Sequence, residues 1–286
     1  PKDWLDKVSK REEGISPQRA KLVSLIEHMD HGIGKVMRAA EAHDNTIIVF
    51  TSDNGAEGSN IILPNGGSLL APWFDLVGYN SDYETLGERG SWNAIGPSNA
   101  TIAASPLTYY KFHANEGGLR VPLVISGPGI ARVGDMTDEF TFVTDLAPTI
   151  LSLVGVDGHE GSWQGRVVEP IVGANFSEFL AGDSSPIHID SESIGYELGG
   201  NSALFKGDYK IVINGAGQGE TAWHLFNIKA DPGESRDLAG EQPELLSEMV
   251  AGYESYVQAN NVLPMPENYD RSGQILGDAL RQLRRQ

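Results

Sequence analysis

The sequence predicts an α/β fold in the first 180 residues, followed by a small α+β subdomain. Two observations favour this fold class. Apolar and β-branched runs at residues 46–52 and 121–126 have the composition of strands that are buried on both faces of a sheet. After residue 186, short strand-like segments separated by turns precede one amphipathic segment, which is typical of an antiparallel sheet covered by a helix.

The first predicted element is a helix that begins at Ser16 and ends near Asp44. Its apolar residues recur at spacings of three and four along one face: Leu22, Leu25, Ile26, Met29, Ile33, Val36 and Met37. Because a helix that leads into a buried strand is half of a βαβ unit, we expect the strand at 46–52 to lie in a parallel sheet. Residues 55–105 are rich in Gly, Asn, Ser and Pro and are expected to form a long loop, which is usually functional or an insertion.

Turn and capping signals predict the remaining elements. The strand at 121–126 ends at a Gly-Pro-Gly turn, and Thr144 or Asp145 can cap a short helix over 146–154. Later strands are predicted at 187–190, 202–206, 209–213 and 223–226, with a hairpin at Gly207-Asp208 and a helix over 243–259. The predicted division is an α/β domain over 1–180, an α+β subdomain over 181–262 and an arginine-rich tail over 263–286.

The composition excludes several classes of function. A net charge of −18 repels nucleic-acid phosphates, and no apolar run approaches the ~20 residues that span a bilayer, so neither nucleic acid nor a membrane is an expected partner. The chain contains no cysteine, which removes disulfides, zinc–thiolate sites and cysteine nucleophiles. These features are equally compatible with a periplasmic and a cytoplasmic protein.

Candidate metal ligands follow the first predicted strand. Asp53, Asn54 and Gly55 stand at its carboxyl end, where ligands bind in open α/β sheets. Asp53 offers a carboxylate and Asn54 an amide oxygen, both suited to Ca²⁺ or Mg²⁺. The same residues also suit an ordinary turn out of a strand.

A second polar segment leads into the second predicted strand. Lys111 stands five residues before Glu116, which begins the run Glu-Gly-Gly-Leu-Arg that ends at Arg120. The Lys111 ammonium can neutralise an anionic ester as a compact point charge, and Arg120 can pair with Glu116. A solvated loop is the alternative interpretation. We expect Asp53, Asn54 and Lys111 to converge at the carboxyl ends of the two strands.

Together the two segments resemble the motifs of the sulfatase family, and those of bacterial arylsulfatases in particular. Asp-Asn-Gly-Ala-Glu-Gly at 53–58 is followed by Lys111 and by Glu-Gly-Gly-Leu-Arg-Val-Pro at 116–122. Similar family-like segments lie at 27–34, 144–151, 163–166 and 231–238, so that the likeness extends over residues 20–260. The resemblance implies the C-terminal half of an alkaline-phosphatase-like mixed sheet with flanking helices, and hydrolysis of an organic sulfate ester.

The resemblance also implies roles for three residues. One calcium ion binds in the active site of the family, and two of its ligands map onto Asp53 and Asn54. A lysine that contacts the sulfate maps onto Lys111. The family nucleophile is a formylglycine made from a cysteine or serine in a Cys/Ser-x-Pro-x-Arg motif, and Ser16-Pro17-Gln18-Arg19 does not have that spacing.

Further family residues have no counterpart in this sequence, including the aspartate pair that completes the calcium shell. His28 and His31 are interpreted as helix histidines and not as the missing acids and bases. His188 and Asp190 could bind a metal, although such a pair more often forms cross-strand hydrogen bonds. We therefore expect calcium to bind weakly or not at all to this chain alone, and we expect no turnover by it. The missing calcium ligands and the nucleophile would be supplied by a companion chain carrying the N-terminal half.

Two alternatives to a sulfatase remain open from the sequence. A phosphonate or phosphate monoester hydrolase of the same superfamily would share the Asp-Asn metal pair. A non-catalytic structural or binding fragment is the second alternative. Either way, apolar strands of an incomplete sheet would need cover from another chain, from self-association or from rearranged loops.

Overall fold

A computed structural model describes residues 17–39, 45–58, 77–80, 82–91, 95–156, 158, 161–215 and 220–266, with side chains in the first helix from residue 23 onward. Residues 59–76 of the predicted loop at 55–105 and most of the arginine-rich tail lie outside these residues. The chain forms two compact units, and the first comprises Pro1–Ala40, Asp53–Val121 and Ile194–Gln286. The second comprises Glu41–Ser52 and Pro122–Ser193. The domain boundary at residues 180 and 181 stays a prediction.

The described part of the chain contains both helices and strands. The helices are α1 (Pro17–Ala39), α2 (Gly96–Ala104), α3 (Glu116–Leu119), α4 (Leu146–Leu153), α5 (Ser177–Leu180) and α6 (Pro243–Ala259), with 3₁₀ turns at Tyr83–Thr85 and Val143–Asp145. The strands are β1 (Ile48–Thr51), β2 (Leu123–Ser126), β3 (Ser162–Trp163), β4 (Arg166–Val167), β5 (Ser193–Leu198), β6 (Asn201–Lys206), β7 (Tyr209–Asn214) and β8 (His224–Asn227). This mixture of helices and antiparallel sheets confirms the predicted α/β class with an α+β part.

The core of the first unit lies in a four-stranded sheet with the order β5-β6-β7-β8. β7 pairs antiparallel with both β6 and β8. Because side chains alternate across a strand, one face of the sheet presents Leu204, Ile211 and Leu225, which pack against Met249 of α6. The predicted subdomain helix over 243–259 is confirmed, and so is the two-residue hairpin, where Gly207 adopts a φ of 53°.

The opposite face of this sheet is also buried, and it carries polar side chains among its apolar ones. Lys210 and Asn214 of β7 and Asn201 of β6 point to this face, and all three are buried. They contact residues 112–116, just before and within α3. The sheet is therefore covered by α6 on one face and by residues 112–116 on the other. Its polar side chains hold residues 112–116 in place.

The first helix exposes much of its apolar stripe. Leu25, Ile26, Met29 and Val36 are all exposed in α1. The predicted end of this helix near Asp44 lies outside the described residues. His28 and His31 are exposed on the helix surface, as predicted. Among the described helices, none combines the length and apolar character needed to cross a bilayer.

The second unit contains the β1–β2 pair, and here the predicted parallel arrangement is wrong. The two strands pair antiparallel, with Ile48 opposite Ser126 and Thr51 opposite Leu123. Neither strand is buried on both faces, because Phe50 is 37% exposed and Val124 is 55% exposed. An apolar, β-branched run indicates a strand, but its neighbour's direction depends on tertiary pairing that the run does not encode.

Two further predictions of secondary structure are wrong. Residues 187–190 form bends and a turn instead of a strand, and the His188 ring there lies between two carboxylates. The stretch expected to be loop contains the helix α2, which begins with Gly96-Pro97 and buries only Ala100 completely. Pro at the start of a helix costs no hydrogen bond. Pro97 therefore indicated the start of this helix, although the surrounding residues are rich in glycine.

Candidate functional site

The Asp53–Gly55 segment follows β1 directly and packs against the Glu-Gly-Gly motif. The backbone N–H of Gly55 donates a hydrogen bond to the Gly118 carbonyl oxygen at 2.9 Å. A Cβ atom at Gly55 would overlap the Gly117 carbonyl oxygen, so only glycine permits this approach. Asp53 is exposed and Asn54 is half-buried beside this contact.

Lys111 lies against the same segment. Its backbone N–H donates to the Ala56 carbonyl oxygen at 3.0 Å, and its ammonium lies 2.8 Å from Glu57 Oε2. The Lys111 side chain is 31% exposed, so its ammonium is accessible from solvent. The two predicted segments therefore lie side by side, joined through their backbones.

The reason for this contact differs from the predicted one. Since β1 and β2 are antiparallel, the carboxyl end of β1 adjoins the amino end of β2. The residues that precede β2, including Lys111 and Gly118, therefore meet the residues that follow β1. The expectation that both motifs lie at carboxyl ends of strands is wrong, although the segments themselves do meet.

The donor types in this region fit calcium, but their number is small. Asp53 and Asn54 provide a carboxylate and an amide oxygen, which are the hard ligands that Ca²⁺ takes. In the described parts of the chain, no group of three or more His, Cys, Asp or Glu residues could hold a metal ion. Six to eight oxygens complete a calcium shell, so Asp53 and Asn54 would supply only part of one.

Glu116, the first residue of the Glu-Gly-Gly motif, is held by Lys210, which the sequence did not single out, and by Glu234 of the family-like segment 231–238. Lys210 Nζ lies 2.9 Å from Glu116 Oε1 and 2.9 Å from Glu234 Oε1. Glu234 Oε2 accepts the Glu116 backbone N–H at 2.9 Å. Lys210, Glu116 and Glu234, which we call the lysine cluster, are all buried. The predicted partner, Arg120, is more distant, with its guanidinium 3.8 Å from Glu116 Oε2.

A second buried contact anchors the residues just before Glu116. Asn214 Oδ1 accepts the Ala114 backbone N–H at 2.8 Å, and Asn214 Nδ2 donates to Asn115 Oδ1 at 2.7 Å. His113 is also buried, with its ring stacked on Tyr109 at 4.6 Å between centroids. His113 is thus part of the packing of this segment.

A family model settles the classification of the chain. The model described as Sulfatase matches residues 1–156, more than half of the 286 residues. The chain belongs to the sulfatase family. The motifs that pack together in the structure, at residues 53–58 and from Lys111 to Gly118, fall within the matched range.

Curated relatives agree with this assignment. An uncharacterized sulfatase of Schizosaccharomyces pombe is 31% identical over 94% of this sulfatase chain and 48% of its own length. The arylsulfatase of Klebsiella aerogenes is 29% identical over 59% of the chain and 38% of its own length. The sulfatase chain thus spans about half or less of the length of these relatives.

Solved structures share the fold. The crystal structure of Ps i-CgsB in complex with k-i-k-neocarrahexaose matches with a TM-score of 0.63 and 22% identity, over 98% of this chain and 51% of that one. PsFucS1 sulfatase from Pseudoalteromonas sp. matches with a TM-score of 0.54 and 18% identity, over 91% of this chain and 46% of that one. These likenesses confirm the alkaline-phosphatase-like fold of the sulfatase chain.

The second unit of the sulfatase chain contains a half-buried histidine between two carboxylates. His188 Nε2 lies 2.8 Å from Asp145 Oδ2, and His188 Nδ1 lies 2.9 Å from Glu192 Oε2. Asp145 is fully buried and also accepts backbone N–H groups from Phe142 at 2.6 Å and Ala174 at 2.8 Å. We call Asp145, His188 and Glu192 the histidine cluster. Asp145 stands at the start of α4 as predicted, but it binds these groups and does not cap the helix.

The carboxylates shift the protonation of the histidine cluster. The hydrogen bond to Asp145 raises the pKa of His188, against the opposing effect of burial, and Glu192 adds to the rise. Burial by itself raises the pKa of Asp145, but hydrogen bonds from His188, Phe142 and Ala174 outweigh it and leave that pKa below its ordinary value. The predicted metal pair of His188 and Asp190 is not formed, since both ring nitrogens of His188 are bound to carboxylates.

Proposed function

We propose that this chain is part of a calcium-dependent sulfuric ester hydrolase of the arylsulfatase-like type. The observation that carries this proposal is the backbone contact of Gly55 with Gly118 and of Ala56 with Lys111. This contact puts two oxygen ligands and one accessible ammonium on neighbouring segments. An arylsulfatase among the relatives supports an aryl sulfate as the first substrate class to test.

In this proposal the three site residues divide two tasks. Asp53 and Asn54 would hold calcium through their side-chain oxygens. Bound calcium would add positive charge beside the sulfuryl oxygens, whose charge changes in the transition state. The Lys111 ammonium, which pairs with Glu57 at 2.8 Å, would bind a sulfate oxygen and stabilise the charge that develops there.

The nucleophile in this proposal comes from outside the 286 residues. The chain has no cysteine and no serine in the Cys/Ser-x-Pro-x-Arg spacing, so these residues alone offer no formylglycine. The exposed apolar side chains of β1, β2 and α1, including Phe50, Val124 and Val36, support a further polypeptide that covers them. We propose a segment carrying the rest of a sulfatase domain, on a companion chain or in a longer polypeptide.

The test is an activity assay on two preparations that have been analysed by intact mass. One contains the 286 residues alone, and the other contains every polypeptide that co-purifies with them. We expect hydrolysis of an activated aryl sulfate only by the second preparation, with loss of activity when calcium is chelated. Aryl phosphate and phosphonate esters, assayed in parallel, would identify the alternative hydrolase.

Lys111→Ala provides the residue-specific control in this assay. Removing one positioned charge from the transition state is expected to lower kcat by about 10²–10³-fold. Lys229→Ala removes another lysine with a carboxylate neighbour, Asp208 at 3.5 Å, and should leave kcat unchanged. Turnover by the 286 residues alone that disappears in Lys111→Ala would contradict the need for a second segment.

A further inference from the structure

Lys210 lies where the four-stranded sheet meets the segment that carries Lys111 and the Glu-Gly-Gly motif. The side chain of Lys210 is fully buried, and its one ammonium binds two carboxylates, those of Glu116 and Glu234. Glu116 begins α3, whereas Glu234 belongs to the turn after β8. Three segments distant in sequence are therefore held by one cation.

Net stability alone does not account for this arrangement. Removing charged groups from water costs several kcal/mol per ion, and replacing a whole buried ion cluster by uncharged groups is often neutral or stabilising. The lysine cluster buries three ionisable groups with at most 7% exposure. A buried ion cluster does, however, specify one geometry, since any displaced partner is left as an unpaired buried charge.

The geometry specified here extends to the candidate metal site. Glu116 is followed by Gly117 and Gly118, and the Gly118 carbonyl oxygen accepts the Gly55 backbone N–H at 2.9 Å. Gly55 directly follows Asn54. The path from the Lys210 ammonium to the proposed calcium ligands thus consists of Glu116, the two glycines and one backbone hydrogen bond.

The same segment contains backbone strain that needs such anchoring. Tyr109 and Phe112 adopt left-handed conformations, with φ of 62° and 76°, which cost on the order of 1 kcal/mol each or more for residues with a side chain. These two residues flank Tyr110 and Lys111 and form the bend that brings the Lys111 N–H to Ala56. Strained conformations persist only where the surrounding structure holds them in place.

We propose that Lys210 is a positioning residue for the candidate active site. By binding Glu116 and Glu234, it holds the segment from Lys111 to Gly118 in register with Asp53 and Asn54. Its contact with the motif segment does not depend on the reaction, whereas its effect on catalysis rests on the proposed function. The expected consequence is that loss of the lysine cluster loosens the motif contact while the sheet stays folded.

The test uses hydrogen exchange of the Gly55 and Lys111 amides, in the 286-residue chain together with any polypeptide that co-purifies with it. Lys210→Met, Glu116→Gln and Glu234→Gln are combined in one variant, so that no unpaired buried charge remains. We expect exchange at Gly55 and Lys111 to become about tenfold faster or more, with little change in the β7–β8 ladder. In Glu116→Gln alone, Lys210 and Glu234 keep opposite charges that cancel. If the triple variant does not fold, exchange of the Gly55 and Lys111 amides is measured in this single variant instead.

A matched control and a kinetic measurement separate positioning from general destabilisation. Lys206→Met removes the ion pair between Lys206, on the neighbouring strand β6, and Glu248 of α6, and should leave exchange at Gly55 unchanged. In a preparation that hydrolyses aryl sulfate, the triple variant should lower kcat about tenfold with a small change in KM. Lys210→Arg, as a single substitution, keeps a cation that can bridge the two carboxylates. Its effects on amide exchange and on kcat should therefore be smaller than those of the triple variant.

The exchange result decides the proposal independently of the reaction. Wild-type exchange at Gly55 and Lys111 in a folded triple variant would overturn it, whatever substrate the protein takes. Faster exchange at these amides supports it, also in a preparation without sulfatase activity. A wild-type preparation that contains all its polypeptides and cleaves no sulfate ester counts against the proposed function alone.

Discussion

The two compact units each contain a cluster in which one nitrogen side chain is bound between two carboxylates. In the lysine cluster of the first unit, Lys210 binds Glu116 and Glu234, and all three residues are buried. In the histidine cluster of the second unit, His188 binds a buried Asp145 and a half-exposed Glu192. The two clusters use the same pairing, but only one contains a side chain whose ordinary pKa lies near neutral pH.

This difference separates the expected responses to pH. The pKa of His188 is raised in the folded state, so its protonated ring contributes stability that is fully present below about pH 6.5, the ordinary value for histidine. That stability is lost as the pH rises through the folded-state pKa. Asp145 has a lowered pKa, so its contribution is present above its ordinary value and is lost as the pH falls through the folded-state pKa. Local stability of the second unit should therefore be greatest in mildly acidic solution.

The largest expected effect is that of Lys210→Met alone. Because this change leaves the carboxylates of Glu116 and Glu234 buried beside each other without a cation, we expect a loss of about 3–5 kcal/mol in the free energy of unfolding. Denaturant unfolding followed by circular dichroism measures this loss. A loss smaller than that caused by Asp145→Ala would reverse the order of the two clusters.

Asp145→Ala is expected to have the second-largest effect. The substitution removes the acceptor for the backbone N–H groups of Phe142 and Ala174 and for His188. Leaving buried donors without partners should cost about 2–3 kcal/mol. Asp135→Ala, at an exposed carboxylate that pairs with Arg132 at 3.0 Å, is the control and should cost less than about 1 kcal/mol.

A pH titration of local stability tests the histidine cluster directly. Exchange protection of the Ala174 amide, which donates to Asp145, should fall after correction for intrinsic exchange as the pH rises through the raised pKa of His188, because the protonated ring is then lost. His188→Gln should flatten this dependence, and His224→Gln, at a more exposed histidine, should preserve it. The Gly118-bound amide of Gly55 should show no matching change, and a parallel loss there would contradict the distinction between the two clusters.

The smallest expected effect is that of Lys206→Met. Lys206 pairs with Glu248, whose side chain is 60% exposed, and exposed ion pairs contribute about 0–1 kcal/mol. Lys206 and Lys210 lie on adjacent strands of one sheet. Comparing their Met variants by the same unfolding measurement isolates burial as the cause of the difference.

Several features of the fold followed from local chemistry. The period of 3.6 residues and the proline at position 243 predicted the final helix with the observed ends, and Gly207-Asp208 predicted its hairpin. The Asp53–Gly55 and Lys111–Gly118 segments were recognised because their residue types are required for metal and anion binding, which is itself a local property. These features depend on a few neighbouring residues, so the sequence expresses them directly.

Tertiary structure alone decided which segments meet. The antiparallel direction of β1 and β2, which brings the amino end of β2 to Asp53 and Asn54, depends on a pairing across 75 or so residues and leaves no local pattern. Lys210 and Glu234 lie 24 positions apart. Lys210 looked like an ordinary surface charge in a strand, and the family-like segment that contains Glu234 did not indicate its partner. The sequence by itself determined most of the elements, the family and the chemistry of the motifs. The burial of Lys210 between two carboxylates was decided only when distant strands packed together, because the cost of desolvating a charge depends on everything that surrounds it.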